Sequence, residues 1–123
     1  PRLARSIRDG KAITLEPRAG VADQGGLRLS WCFVDDAVAI LEAALGAETP
    51  PGVLNLAGPG VASIRELALA IGRVVGREPV FVPGERPRRG DAVADTTRVR
   101  EFSPGSFTPL DEALRRCFLP PAG

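Results

Sequence analysis

Two groups of side chains have the types and the spacing to do chemistry. The first is the adjacent pair Asp35 and Asp36, which ends one apolar run and leads straight into another. Two carboxylates can serve as acid and base, or hold a divalent cation. Neighbouring side chains at a strand end point in different directions, however, and no third carboxylate lies close in sequence. Capping of the following helix is therefore the favoured reading, with Asp36 the better cap. The second group is the loop 84–91, GERPRRGD, which sets Arg86, Arg88 and Arg89 beside Gly90. Guanidinium forks match phosphate oxygens and glycine permits close approach, so this loop can clamp a diphosphate. A solvated basic loop is the equal alternative.

Few other groups could move a proton. The sequence has no His, no Tyr and no Met, and Lys11 is its one lysine. Cys32 and Cys117 lie far apart in apolar patterns and read as small buried thiols, without support for a disulfide framework or a zinc site. Gly58-Pro59-Gly60 follows an apolar run, yet Ser63 stands where a nucleotide loop would need its third glycine, and proline removes a donor. A structural turn is the expectation there. Trp31 reads as core, or as the wall of a pocket. The string Arg89-Gly90-Asp91 matches an adhesion tripeptide by coincidence.

The elements that must position these groups follow from periodicity. Residues 2–8 fit the end of a helix stopped by Gly10, and 12–15 a short strand, followed by a loop over 17–26. Residues 27–34 alternate Leu27, Leu29, Trp31 and Phe33 against polar positions, which predicts a strand. Ala37, Ile40, Leu41 and Ala44 then mark one face of a helix. Residues 53–57, VLNLA, predict a short buried strand. Ser63 with Glu66 forms a capping box, and Ile64, Leu67, Ala68, Ile71 and Val75 a helical stripe that Gly76 closes. Residues 79–83 carry proline at both ends and predict an edge strand. Asp95 can cap a short helix reaching Phe102. Thr108-Pro109 opens a last helix with Leu110, Ala113, Leu114 and Cys117 on one side. Alternating strands and helices predict an α/β fold.

Size and charge bound the rest. A chain of 123 residues suits one compact domain. Sixteen basic and fifteen acidic residues leave a net charge of +1, which gives no field to draw nucleic acid or an anionic membrane. No apolar run approaches the ~20 residues of a membrane span, and no secretory leader is visible. A soluble, cytoplasmic setting is the default. The start at Pro1 rather than Met leads us to expect a fragment.

Three ordered stretches carry a resemblance. WCFVDDAVAILEAAL is similar to the F-x-x-V-x-D-x-A-x-A-x-x-x-A-L segment of the NAD-dependent epimerase/dehydratase family, the extended short-chain dehydrogenase/reductases. VLNLAGPGVASIRELALAIGRVVG resembles that family's V-Y-N-L-G-x-G strand and S-I-R-E-L-A helix. RRGDAVADTTRVREFSPGSFTPLDEAL resembles its closing R-P-G-D, A-D-x-S-K and L-G-W-x-P series, with 103–107 departing from the Gly-Trp.

The resemblance implies that 1–123 is a single C-terminal, substrate-binding domain or fragment, with short strands alternating with helices and the Rossmann nucleotide-binding half absent. The family's glycine-rich NAD or NADP loop and Tyr-x-x-x-Lys pair are missing, so the chain is expected to bind no cofactor and to have no catalytic or metal-binding residue of its own. The expected partners are a nucleotide-sugar or related small molecule and the missing N-terminal Rossmann portion, with homo-oligomerisation open. By this resemblance Arg88 matches the arginine that contacts the nucleotide diphosphate, and Asp91 the aspartate that fixes its loop. A second phosphate-side arginine falls at Leu29, with Arg28 one position away and, by alternation, on the other face. Residues 53–57 would belong to the parent's central sheet. The implied function is substrate binding within an NAD(P)-dependent isomerase or oxidoreductase. A non-catalytic binding, regulatory or oligomerisation module is the alternative.

Overall fold

The computed structural model describes residues 2–18, 25–49, 52–102 and 105–119. In chain order the elements are α1 (Arg2–Arg8), β1 (Ala12–Leu15), β2 (Arg28–Ser30), α2 (Val34–Leu45), β3 (Val61–Ser63), α3 (Ile64–Val75), β4 (Val80–Pro83), a 3-10 turn (Val99–Phe102) and α4 (Leu110–Phe118). Strands and helices alternate as the sequence predicts, but the strands form two separate pairs. β1 and β4 run parallel, from Ala12 opposite Val80 to Leu15 opposite Pro83. β2 and β3 run antiparallel, with Leu29 opposite Ala62.

The core lies where α1, β1, α3 and α4 meet. Ala4, Ile7, Ile13, Leu15, Ala68, Ile71 and Leu114 are buried there together. Sequence periodicity identifies this face of α3 correctly, and its ends form as their residues dictate. The Ser63 hydroxyl accepts the Glu66 N–H at 3.1 Å, satisfying one of the helix's orphan donors. Gly76 ends the helix at φ 74°, a left-handed conformation costly for any residue with a Cβ. Residues 2–8 and 12–15 also form the elements expected of them.

Four local expectations fail, each where pairing or burial depends on more than local spacing. The strand predicted over 27–34 is confined to Arg28–Ser30, because α2 begins at Val34. Residues 53–57 form no strand, since no neighbouring strand lies along them among the described residues. Neither Asp35 nor Asp36 caps α2, whose N-cap is Phe33 without a side-chain bond. Cys117 is exposed and Cys32 half-buried, so neither is the buried thiol the apolar pattern implies. Part of the loop predicted over 17–26 lies outside the described residues.

Gly76 offers a clean test of local backbone control, because a Cβ there would meet nothing within 4 Å. Gly76→Ala is expected to cost about 1 kcal/mol in urea unfolding, and Gly76→Asn clearly less, since asparagine tolerates the left-handed region. Equal losses in the two variants would rule out backbone conformation as the cause.

Candidate functional site

Arg88 lies at the centre of the basic loop, and its side chain is only 3% exposed. A buried guanidinium must have its donors met, and the surrounding chain meets them. Nε donates to the Asp91 carboxylate at 3.0 Å, and Nη1 to the Glu16 carbonyl at 2.9 Å. The Arg88 backbone N–H donates to the Pro17 carbonyl at 2.9 Å, beside a parallel bridge between Arg18 and Arg88. The same Asp91 oxygen accepts the Arg28 backbone N–H at 2.9 Å. The three residues singled out in the sequence thus meet at one corner. Arg28 joins through its main chain, while its side chain belongs to an exposed residue.

Asp91 is held below the usual carboxylate range. The bond from the Arg28 N–H is the largest cause, joined by the hydrogen bond and charge of Arg88 and the charge of Arg18 against some loss of solvation. Arg18 is an addition that sequence reasoning missed; it lies in a stretch read only as a loop. Arg86 and Arg89 are exposed and flank the corner along the chain.

Next to this corner is a cleft of about 320 Å³, lined by Leu15, Pro17, Arg65, Phe81, Pro83 and Gly84 among others. The Gly84 N–H donates to the Leu15 carbonyl at 2.8 Å, extending the β1/β4 pairing along the cleft. The Arg65 guanidinium carbon lies 4.6 Å from the centre of the Phe81 ring, a cation–π contact. Neither side chain is singled out by sequence, because their meeting depends on the parallel pairing.

The aspartate pair has a different task from the one expected of it. Both Asp36 oxygens accept from Thr108, one from its N–H at 2.8 Å and one from its hydroxyl at 3.0 Å. Asp36 therefore ties the start of α2 to the start of α4, while Asp35 pairs with Arg116. The Arg116 guanidinium also covers the Phe33 ring at 4.7 Å. Trp31 half-emerges into a second, apolar cavity of about 200 Å³ shared with Phe33, Asp36, Phe107 and Thr108. Gly60 packs so closely on the indole that a Cβ would lie 2.7 Å from Trp31 Nε1, so the ring leaves room only for glycine at this position. Cys32 lines this cavity too. Burial, and then the Asp36 charge, push its thiol up against a bond with the Gly58 backbone that lowers it. Among the described residues no group of three His, Cys, Asp or Glu side chains could hold a metal ion, and no helix is long and apolar enough to cross a membrane.

Two outcomes follow from these environments. Because Asp91 has a lowered folded pKa, its stabilising contribution is present above the unfolded value of about 4 and is lost as the pH falls through the folded value. Asp91→Asn should be less stable than wild type at pH 7 in urea unfolding, and the gap should close on acidification below about pH 4. A gap unchanged at about pH 3 would separate the effect from the carboxylate charge. With iodoacetamide at neutral pH, mass spectrometry should find exposed Cys117 alkylated well before Cys32, whose raised pKa leaves little thiolate. Faster modification of Cys32 would contradict that environment.

No protein-family profile matches the chain, and no curated protein matches it. Solved structures do. UDP-glucuronic acid 4-epimerase from Bacillus cereus, in complex with UDP-glucuronic acid and NAD, matches with a TM-score of 0.69 at 20% identity, over 92% of this chain and 36% of its own. UDP-glucose 4-epimerase from Thermus thermophilus, in complex with NAD, gives 0.68 at 22% identity, over 93% and 36%. RMD from Pseudomonas aeruginosa, complexed with NADPH, gives 0.64 at 20% identity, over 93% and 37%. The chain therefore spans little more than a third of the length of these structures. Its fold is part of the fold of the NAD-dependent nucleotide-sugar epimerases and dehydratases, the extended short-chain dehydrogenase/reductases.

Proposed function

We propose that the chain is the C-terminal, substrate-binding portion of an NAD(P)-dependent nucleotide-sugar epimerase, dehydratase or reductase, and catalyses nothing alone. The observation that carries this reading is the Arg88–Asp91–Arg28 corner beside the Arg65/Phe81 cleft, in a fold otherwise met in enzymes crystallised with UDP-sugar and NAD. A cleft of about 320 Å³ falls at the lower end of small-molecule sites, so it takes part of a nucleotide-sugar and leaves the rest to other surfaces.

Exposure divides the roles. Arg88, buried and ion-paired with Asp91, fixes the loop. Arg28, exposed, is the guanidinium that reaches the diphosphate, and Asp91 joins the two. Binding energy collected there, away from the reacting carbon, orients the sugar for chemistry supplied elsewhere. With neither tyrosine nor histidine in the sequence, proton transfer and the NAD or NADP site are assigned to the remainder of a longer protein. A second reading, a non-catalytic binding or oligomerisation module on the same scaffold, draws on the exposed apolar side of α2. Sedimentation of the isolated chain tests the oligomerisation part of that reading.

Calorimetric titration with UDP-glucose tests the clamp. Wild type should give a measurable heat, Arg28→Ala should bind about tenfold or more weakly, and Arg88→Lys should weaken binding while also lowering the urea midpoint. No heat with wild type would remove substrate binding from this chain. Unchanged affinity in both variants would remove the two arginines from it.

A further inference from the structure

The apolar cavity of about 200 Å³ just past β2 has no part in the substrate reading, and it shares no residue with the Arg88 corner or the Phe81 cleft. Trp31, Phe33, Phe107, Pro59 and Pro109 line it. Polar bonds hold these walls in place. The Gly58 N–H donates to the Trp31 carbonyl at 3.0 Å and the Trp31 N–H to the Gly60 carbonyl at 3.4 Å, which fixes the 58–60 turn against the end of β2. Asp36 grips Thr108 through both of its oxygens, and so fixes the chain that carries Phe107 and Pro109. The cavity is therefore preformed, as small-molecule sites usually are. Trp31 and Phe107 are only half-buried, which leaves a way in.

Three features define the occupant. An apolar cavity of about 150 Å³ holds one benzene ring, so this one has room for a ring and a short substituent. The indole N–H of Trp31 makes no hydrogen bond among the described residues, and its Nε1 lies against Gly60, which also lines the cavity. Asp36 is the one charged side chain of the lining, while nearby Arg116 is paired with Asp35. A carboxylate in the wall disfavours a second anion. We infer that the cavity is a binding site for a small uncharged aromatic molecule, a single ring bearing a hydrogen-bond acceptor, which packs on Trp31, Phe33 and Phe107 and accepts from the Trp31 indole. Aromatic walls favour an aromatic ring over an aliphatic one of equal size, through offset and edge-to-face contacts.

Trp31 is the one tryptophan and the sequence has no tyrosine, so the protein's fluorescence reports on this wall directly. Titration of the chain with benzyl alcohol should shift that emission saturably and slow iodoacetamide modification of Cys32 at least about threefold, with Cys117 unaffected. Benzoate, of similar shape but charged, should do neither. Cys32→Leu puts a larger apolar side chain into the cavity and should weaken benzyl alcohol binding about tenfold or more, the urea midpoint showing that the variant is folded. Asp36→Asn should let benzoate bind, a gain that loss of structure does not imitate and that decides the matter should Cys32→Leu not fold. Emission unmoved by benzyl alcohol, equal responses to benzyl alcohol and benzoate in wild type, or unchanged affinity in a folded Cys32→Leu would each overturn the inference. Emission that shifts with protein concentration alone overturns it in favour of a second copy as the occupant. UDP-glucose binding is measured separately, so failure at this cavity leaves the substrate reading intact, and the reverse.

Discussion

The ion pair of Arg88 with Asp91 is the constraint on which this side of the molecule depends. Burying a guanidinium is unfavourable unless its donors are met, and the chain meets them from two remote places. Glu16 and Pro17, just past β1, accept from Arg88, while Asp91 also accepts the Arg28 N–H at the head of β2. A single charged side chain thereby connects the parallel pair of strands to the antiparallel pair. No apolar residue of the same volume could do this, because the contacts are donors aimed at particular oxygens. The cleft beside Phe81 owes its floor to the same bonds, since Pro17 and Gly84 are held by the chain that Arg88 and Leu15 grip.

A second fastening sits at the far end of β2, where Asp36 takes both donors of Thr108 and Asp35 takes Arg116. This explains how α2 can be attached to a core that makes little apolar use of it. The helix is held at its N-terminal end by polar bonds to α4 and by Ile40, and its solvent side is left free of the chain's own packing. Directional bonds can fix one end of a helix while leaving an apolar face available, which a broad hydrophobic contact could not do.

What the sequence disclosed, and what it hid, divides along the same line. The Ser63 cap, the Gly76 stop, the strand at 12–15 and the α3 stripe are written in spacings of a few residues, and all form as read. The overall class and the resemblance were legible because several such local elements occur in order. Asp36 misled because a carboxylate at a helix start has the same local signature whether it bonds its own helix or Thr108, seventy-two positions away. Residues 53–57 misled because strand-forming side chains do not supply a neighbouring strand. At the candidate site, arginines and an aspartate near Gly90 were visible as a cluster. The burial of Arg88 was not, since it is created by Glu16 and Pro17, which carry no distinguishing side-chain signal.

The position of Arg28 follows from register rather than from its own side chain. β2 is bonded on one flank to β3 and on the other to the segment after the arginine loop: the Ala92 N–H donates to the Arg28 carbonyl at 2.8 Å, and the Ser30 N–H to the Ala92 carbonyl at 2.9 Å. The Ala94 N–H adds a bond to the Ser30 hydroxyl at 2.8 Å. With both edges occupied, the strand cannot slip by one residue without breaking these bonds, the β3 ladder and the Asp91 contact together. Alternation then fixes Leu29 on one face and Arg28 on the other. The arginine therefore cannot take over the place of Leu29 by a register shift, and any ligand it serves must approach from its own face of β2.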